Sequence, residues 1–255
     1  MSKLPTMSRL DALLRVARHV AWHPLRDLVV LRGGLVMRQQ VLPMPRPVDD
    51  VDFLIRVDAF DAFRTIFSAL FPASPCEVTW AEMPRPGLRT HVVVGHHEVR
   101  VDAGFGDPMV ALPDRFVMGD LALDSVAAEQ HFAWKLHGLF ERGRGRWRPK
   151  DLMDLIALKR HAALDDQLVR RCIVSAFVDR DHDLGDLRRL AVGDFGTSRN
   201  SRRRWRRFVE ARTDRYGDAA QVPPSHLPLV DELAEYVVPL VSGRTGNRPP
   251  PPPTR

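Results

Sequence analysis

Cysteine is nearly absent: Cys76 and Cys172 are the only two in 255 residues, and no C-x-x-C spacing occurs. That excludes a disulfide framework and gives no support to a zinc knuckle. Long apolar runs are also missing. Nothing approaches the roughly 20 residues of a membrane-spanning helix, and MSKLPTMSRLDALLRVARHV is too interrupted by charge for a secretory segment. The glycines nowhere form the P-loop or dinucleotide patterns, and no internal repeat is visible. What remains is a soluble chain with no membrane partner, expected in the cytoplasm and long enough for one large domain or two small ones.

What is present in excess is arginine. Lys and Arg total 38 against 32 Asp and Glu, and the formal net charge is +6. The arginines cluster at Arg142, Arg144, Arg146 and Arg148, and again at Arg199, Arg202, Arg203, Arg204, Arg206 and Arg207. A guanidinium suits two-pronged contact with phosphate, so clustering favours a polyanionic partner over a merely soluble basic surface.

Hydrophobic spacing sets the organisation. Leu10, Leu13, Leu14, Ala17 and Val20 predict an opening amphipathic helix. Leu28 to Leu31 reads as a short strand ending at Gly33-Gly34, followed by a helix from Leu35 to about Leu42. Val51 to Ile55 is the next strand, and Asp58 reads as the cap of a helix whose face is Phe60, Phe63, Phe67 and Leu70. From Glu77 to Ala103 the pattern is strand-like, with a hairpin turning near Gly95-His96, and a further extended pair is expected around Phe116 to Leu123. After Asp124 the texture is helical: Ala128 to Leu139, Leu152 to Leu158, then about Asp166 to Val178, Ser201 to Arg212 and His226 to Val241. The expected organisation is an α+β half over residues 1–123, a helical domain over 124–243, and a disordered proline-rich tail over 244–255.

A strand, two glycines and a helix can cradle phosphate, because glycine lets the backbone approach a ligand. Alone, Gly33-Gly34 is only a turn signal. Asp50 and Asp52 add chemistry. Two apart on a strand, their carboxylates leave on one face and can grip one magnesium site. Asp49 points the other way and is expected to be solvated or to cap locally. Asp102, in VRVDAGFGD, ends a predicted strand and could supply the third carboxylate of a two-metal centre for displacement at phosphorus. The bland reading of a bare D-x-D is a salt-bridged turn. Here the glycine pair lies sixteen positions before Asp50 (50 − 34), an ordering typical of polymerase-β-like nucleotidyltransferases.

The segment AAEQHFAWKLHGLFERGRGRWRPKDLMDLIAL carries a second cluster. Lys135 sits on one predicted helix. Asp151 and Asp154, three apart on the next, share a face. As antiparallel neighbours the two helices could bring Lys135 and Asp151 together. With these residues the chain resembles the AbiEii/AbiGii-toxin family of nucleotidyltransferases, including its MenT-type toxins. The matching residues are Gly33-Gly34; Arg46-Pro47-Val48-Asp49-Asp50-Val51-Asp52; Glu129, Ala133, Lys135 and Leu136; and Lys150-Asp151-Leu152 with Asp154-Leu155. RVDAGFGDP and HLPLVDELAEYVVPL look like the family's third strand and closing helix, so the resemblance spans about residues 25 to 245.

The resemblance implies a polymerase-β-like core with a mixed β-sheet, followed by a helical domain. It implies a toxin of a toxin–antitoxin system that uses Mg2+ and an NTP to add a nucleoside monophosphate to an RNA 3′-hydroxyl, tRNA in characterised members, with a cognate antitoxin as partner. Asp50 and Asp52, with Asp102, are the implied metal ligands; Gly33, Gly34, Arg46 and Lys135 the nucleotide contacts; Asp50, Asp52, Lys135 and Asp151 the catalytic set. Asp151 either orients Lys135 or acts as base. Leu35 and Val48 stand where the family carries hydroxyl residues. The alternatives are transfer to a protein or small-molecule hydroxyl, or a member without catalysis that binds RNA or a partner.

SRNSRRRWRRFVEARTDRYG places arginines around Trp205 and Phe208. The aromatics are weighted toward the core. Arg202, Arg203 and Arg206, with Arg144, Arg146 and Arg148, are the expected RNA-binding residues. His96, His97 and His182 lack companions at metal spacing and receive no role.

Overall fold

Helix α1 (Arg9–Ala21) forms where Ser8 and Asp11 close a capping box. The Ser8 hydroxyl accepts from the Asp11 amide and the Asp11 carboxylate from the Ser8 amide, each at 3.1 Å. Those hydrogen bonds hold the Asp11 carboxyl below the usual carboxylate range. The buried stripe is Ala12, Leu13, Val16, Ala17 and Val20. Leu10 and Leu14, expected within it, are half-buried at its edges.

The structure is a computed structural model that describes residues 7–41, 47–79, 86–141, 146–216 and 222–242. Arg46, Arg144 and the proline-rich tail over 244–255 lie outside the described residues. The fold is α+β, and the chain divides into two compact units, Met1–His131 and Phe132–Arg255.

In the first unit follow β1 (Val29–Arg32), α2 (Gly34–Gln40), β2 (Asp50–Ile55), α3 (Phe60–Leu70), β3 (Glu77–Thr79), β4 (Gly87–Val94), β5 (His97–Phe105), β6 (Asp114–Met118) and β7 (Leu121–Ser125). They build one mixed sheet in the order β3-β4-β5-β2-β1-β7-β6. β2 lies antiparallel to β1 and parallel to β5, while β4 and β5 form the antiparallel hairpin expected at Gly95-His96. The central strands are buried on both faces, with Val29, Val30, Leu31, Val51, Phe53, Leu54 and Ile55 all in the core. Such strands read as nearly unbroken apolar runs, so the acids in β2 stand out.

Asp58 is not the cap of α3. The N-cap position is Ala59, with no side-chain cap hydrogen bond. Packing fixes the start instead: Phe63 and Phe67 are buried, and Phe63 stacks on Phe105 with ring centroids 4.8 Å apart. A stacked pair contributes about 0.5–1.5 kcal/mol beyond its buried area, comparable to a cap. At the far edge of the sheet, the Gln39 side chain covers β6. Its amide nitrogen donates to the Arg115 carbonyl at 2.9 Å, and its oxygen accepts from the Val117 amide at 3.0 Å. The side chain thereby takes the place of another strand and blunts an edge open to mispairing.

The second unit holds α4 (Ala128–Phe140) from Phe132 onward, α5 (Pro149–His161), α6 (Asp166–Val178), α7 (Arg188–Ala191), α8 (Arg199–Tyr216) and α9 (Leu227–Val241). The short α7 carries too few residues for a periodic signal. Leu229, Val230, Leu233, Val237 and Leu240 form the buried stripe of α9, which packs on α5, α6 and α7. No helix among the described residues is long and apolar enough to cross a membrane.

His226, just before α9, lies between Trp147 and Trp205, with ring centroids 5.1 and 5.5 Å away, and its Nε2 donates to the Gly196 carbonyl at 2.8 Å. Burial pushes its pKa below the ordinary 6.5. Between the folded and unfolded values the unfolded chain binds the extra proton. The contribution is therefore complete above about pH 6.5 and is lost as pH falls through that value toward the folded one. The melting temperature of the wild type is expected to drop more steeply from about pH 6.5 to 5 than that of His226→Gln. Parallel curves would remove His226 as the cause.

Candidate active site

The register of four adjacent strands writes one charged row across the sheet. Arg89 on β4 stands opposite Asp102 on β5, Asp102 opposite Asp52 on β2, and Asp52 opposite Arg32 on β1. Directly opposed residues share a face, so the row alternates as cation, two anions, cation. Two pairs along, Asp50 stands opposite Arg100. Period two along β2 brings Asp50 onto the face of Asp52. Ligand oxygens of Asp50, Asp52 and Asp102 lie within 4.8 Å of one another. Asp50 is buried, Asp102 nearly so at 9% exposure, and Asp52 is half-buried. Asp49 is exposed, as strand alternation requires.

Three carboxylates this close repel unless cations intervene. Arg89 grips Asp102 with both prongs, Nε at 2.6 Å and Nη2 at 3.2 Å. That hydrogen bonding raises the Arg89 pKa above its usual value. Arg100 pairs with Asp50 through Nη2 and approaches Asp102 through Nε at 3.2 Å. Neither arginine was identified from sequence. Strand alternation puts Arg100 on the face of Asp102, two residues away on β5, whereas Arg89 meets that acid only through the register of β4 on β5.

Two glycines make the packing possible. Gly33, at φ 75°, begins α2, and a Cβ there would lie 2.1 Å from Asp52 Oδ2. Gly104 gives room to Arg32: a Cβ would lie 2.6 Å from its Nη2, and Arg32 Nη1 holds Asp107 at 2.5 Å. The Gly33 bend thus sits directly against a carboxylate of the triad. Gly33→Ala meets both a left-handed backbone and that collision. We expect it to cost about 1–3 kcal/mol of stability and to cut any catalysis at the triad at least about tenfold. Thermal unfolding and steady-state kinetics check this; unchanged kinetics would mean that the close approach is dispensable. Leu35 and Val48 are both buried in the core, Leu35 completely. Their side chains fill apolar space, which accounts for hydrophobes at these two positions.

An all-oxygen, hard donor set flanked by a tight glycine bend fits a divalent cation, and the triad could hold one. Among the described residues it is the one group of three or more potential metal ligands that converges.

In the second unit, Lys135 of α4 is 8% exposed and faces α5. Its Nζ lies 2.7 Å from Asp154 Oδ2 and 3.8 Å from Asp151 Oδ1. Asp154 is therefore the near partner, a residue whose place on the face of Asp151 was legible but whose role was missed. Asp151, in the first turn of α5, is drawn to Arg148 at 2.5 Å. Asp154, one turn deeper, is fully buried with its ammonium. Arg148 is thus half-buried and ion-paired, while Arg146, Arg202, Arg203 and Arg206 are exposed. Trp205 is a core residue whose Nε1 donates to the Pro223 carbonyl at 3.0 Å. His182 does have a companion: its Nδ1 is 2.5 Å from Nε2 of buried His137. Arg180 Nη1 lies 3.3 Å from the other ring nitrogen of His137.

A family model described as nucleotidyl transferase AbiEii toxin, type IV TA system, matches residues 15–225. No curated protein matches the sequence. Among solved structures the chain is similar to JHP933 from Helicobacter pylori, at 14% identity and a TM-score of 0.44, with 93% of this chain and 98% of that chain covered. It is also similar to an antigenic nucleotidyltransferase-like protein from Paracoccidioides brasiliensis, at 15% identity and a TM-score of 0.41, covering 85% and 95%.

Proposed function

The chain belongs to the AbiEii family of nucleotidyltransferase toxins, and from that premise we propose that it transfers a nucleoside monophosphate from an NTP to the 3′-hydroxyl of an RNA, with tRNA the first candidate. The observation that carries this reading is the convergence of Asp50, Asp52 and Asp102 against the Gly33 bend. Asp50, Asp52 and Asp102 are the residues that would hold Mg2+. When bound, magnesium neutralises charge on the triphosphate and favours the ionised acceptor hydroxyl. The Gly33-Gly34 backbone lets phosphate oxygens approach without a side chain in the way. Arg89 and Arg100 restrain Asp102 and Asp50, so the carboxylates are positioned before substrate arrives. Lys135 keeps the role that the resemblance assigns, contact with the triphosphate, and Asp154, 2.7 Å from its Nζ, fixes where that group points. The acceptor oxygen bonds to the α-phosphorus and pyrophosphate leaves.

Family membership implies an antitoxin, and the basic surface supports a nucleic-acid acceptor over a small molecule. The test is incubation of the purified protein with each radiolabelled NTP and bulk tRNA. Labelled tRNA is expected with Mg2+, none with a chelator, and restoration when Mg2+ is returned. Label in a protein band, with tRNA unlabelled, would replace the acceptor while keeping the chemistry. Labelling that persists through chelation would remove the metal from the reading.

A further inference from the structure

Helix α8 carries Arg199, Arg202, Arg203 and Arg206 at spacings of three, four and seven, so all four lie along one stripe of the helix. That stripe lines a cavity of about 730 Å³ together with Pro224, Ser225, His226 and Leu227, and Asn200 and Ser225 add to its polar lining. All four arginines are exposed. Among the described residues the stripe has one ion pair, a long 3.8 Å contact from Arg206 to Glu210. Like charges at this spacing destabilise a helix, and the first twelve residues of α8 hold no acid except Glu210 to relieve them.

The floor beneath is rigid and neutral. Trp205, on the flank of the stripe, is buried and donates to the Pro223 carbonyl, which ties the helix to the turn before α9. His226 is buried, anchored on the Gly196 carbonyl, and held neutral by its burial. A wall of self-repelling guanidiniums over a fixed floor breaks a local stability rule, and such breaks collect where a ligand supplies the missing charge. The stripe presents several charges in a line, which matches successive phosphates of one strand better than a single small anion.

We propose that this cavity binds the phosphodiester backbone of the RNA acceptor, by charge and without reading bases. This rests on the RNA-acceptor reading above. Trp205 and His226 line the cavity floor, but they are only 1% and 2% exposed and hydrogen-bonded to the Pro223 and Gly196 carbonyls, so neither offers a ring face for base stacking. Recognition there is therefore independent of sequence.

The test measures binding of bulk tRNA and of poly(U) to the full chain over a series of salt concentrations. Wild type is compared with Arg199→Gln, Arg202→Gln, Arg203→Gln and Arg206→Gln. Each substitution is expected to weaken both RNAs alike and to reduce the slope of log K against log[salt] by about 0.7–0.9, the release expected from one phosphate contact. Affinity for MgNTP should not change. Melting temperatures should be equal to or above wild type, because a repelling charge is removed; a structural arginine would lower them. If wild type binds RNA and the variants keep its affinity and slope, this cavity is wrong and the RNA acceptor stands. If wild type binds MgNTP but no RNA, the acceptor reading itself fails and takes the cavity with it. Variants that lose poly(glutamate) binding while holding RNA as wild type does would mark the cavity as a protein-docking site and overturn the proposal.

Discussion

Asp52→Asn is expected to lower nucleotidyl transfer by about 10²–10³, with a parallel loss of Mg2+ affinity in calorimetry. The substitution keeps the shape beside the Gly33 bend and removes one anionic donor from a group whose oxygens lie within 4.8 Å. Losing a charge-stabilising group from a preorganised site costs on the order of 3–4 kcal/mol in the transition state, which is the stated rate factor. Stability should hardly move. Asp52 is half-buried between the like charge of Asp102 and the cation Arg32 that stands opposite it, so removing its charge loses attraction and repulsion together and leaves the fold near wild-type stability. A variant that melts at or above the wild-type temperature and yet does not transfer would locate the defect in chemistry. Transfer at the wild-type rate would sink the triad as the metal site.

Asp154→Ala is expected to be the most destabilising single change in the second unit, by about 3–5 kcal/mol, or roughly 10 °C in melting temperature. Asp154 is fully buried and Lys135 is 8% exposed, so the mutation takes the near partner from an ammonium largely shielded from water. Asp151, at 3.8 Å and already engaged by Arg148, is too far to replace it. The double variant Lys135→Met/Asp154→Leu should recover most of the stability, since a buried pair replaced by packed apolar groups is often neutral or better. It should have no transfer activity. Stability that stays low in the double variant would mean that the site is held by something other than the pair.

Much of the first unit follows from local patterning. Val29 to Leu31, Val51 to Ile55, the hairpin around Gly95-His96 and the phenylalanine face of α3 all carry their period in the sequence. So does the shared face of Asp50 and Asp52, because side chains alternate along any strand. Where local logic failed, packing overruled it. Asp58 yielded the start of α3 to the Phe63–Phe105 stack. Lys135 took Asp154 over Asp151 because a carboxylate one turn deeper, shielded from water, attracts an ammonium more strongly than one shared with Arg148.

By itself the sequence determined the α+β class, the succession of strands and helices, the glycine bend and the two acids that leave β2 together. Tertiary structure alone decided that β5 runs parallel beside β2 with Asp102 level with Asp52, that Arg89 and Arg32 flank these acids in the same row with Arg100 opposite Asp50, and that four arginines overlook a cavity. The division has one cause. Periodicity is written into consecutive residues, whereas register between distant strands is set by which apolar faces must be buried together, and a slip of one residue would turn every acid of the site to the other side.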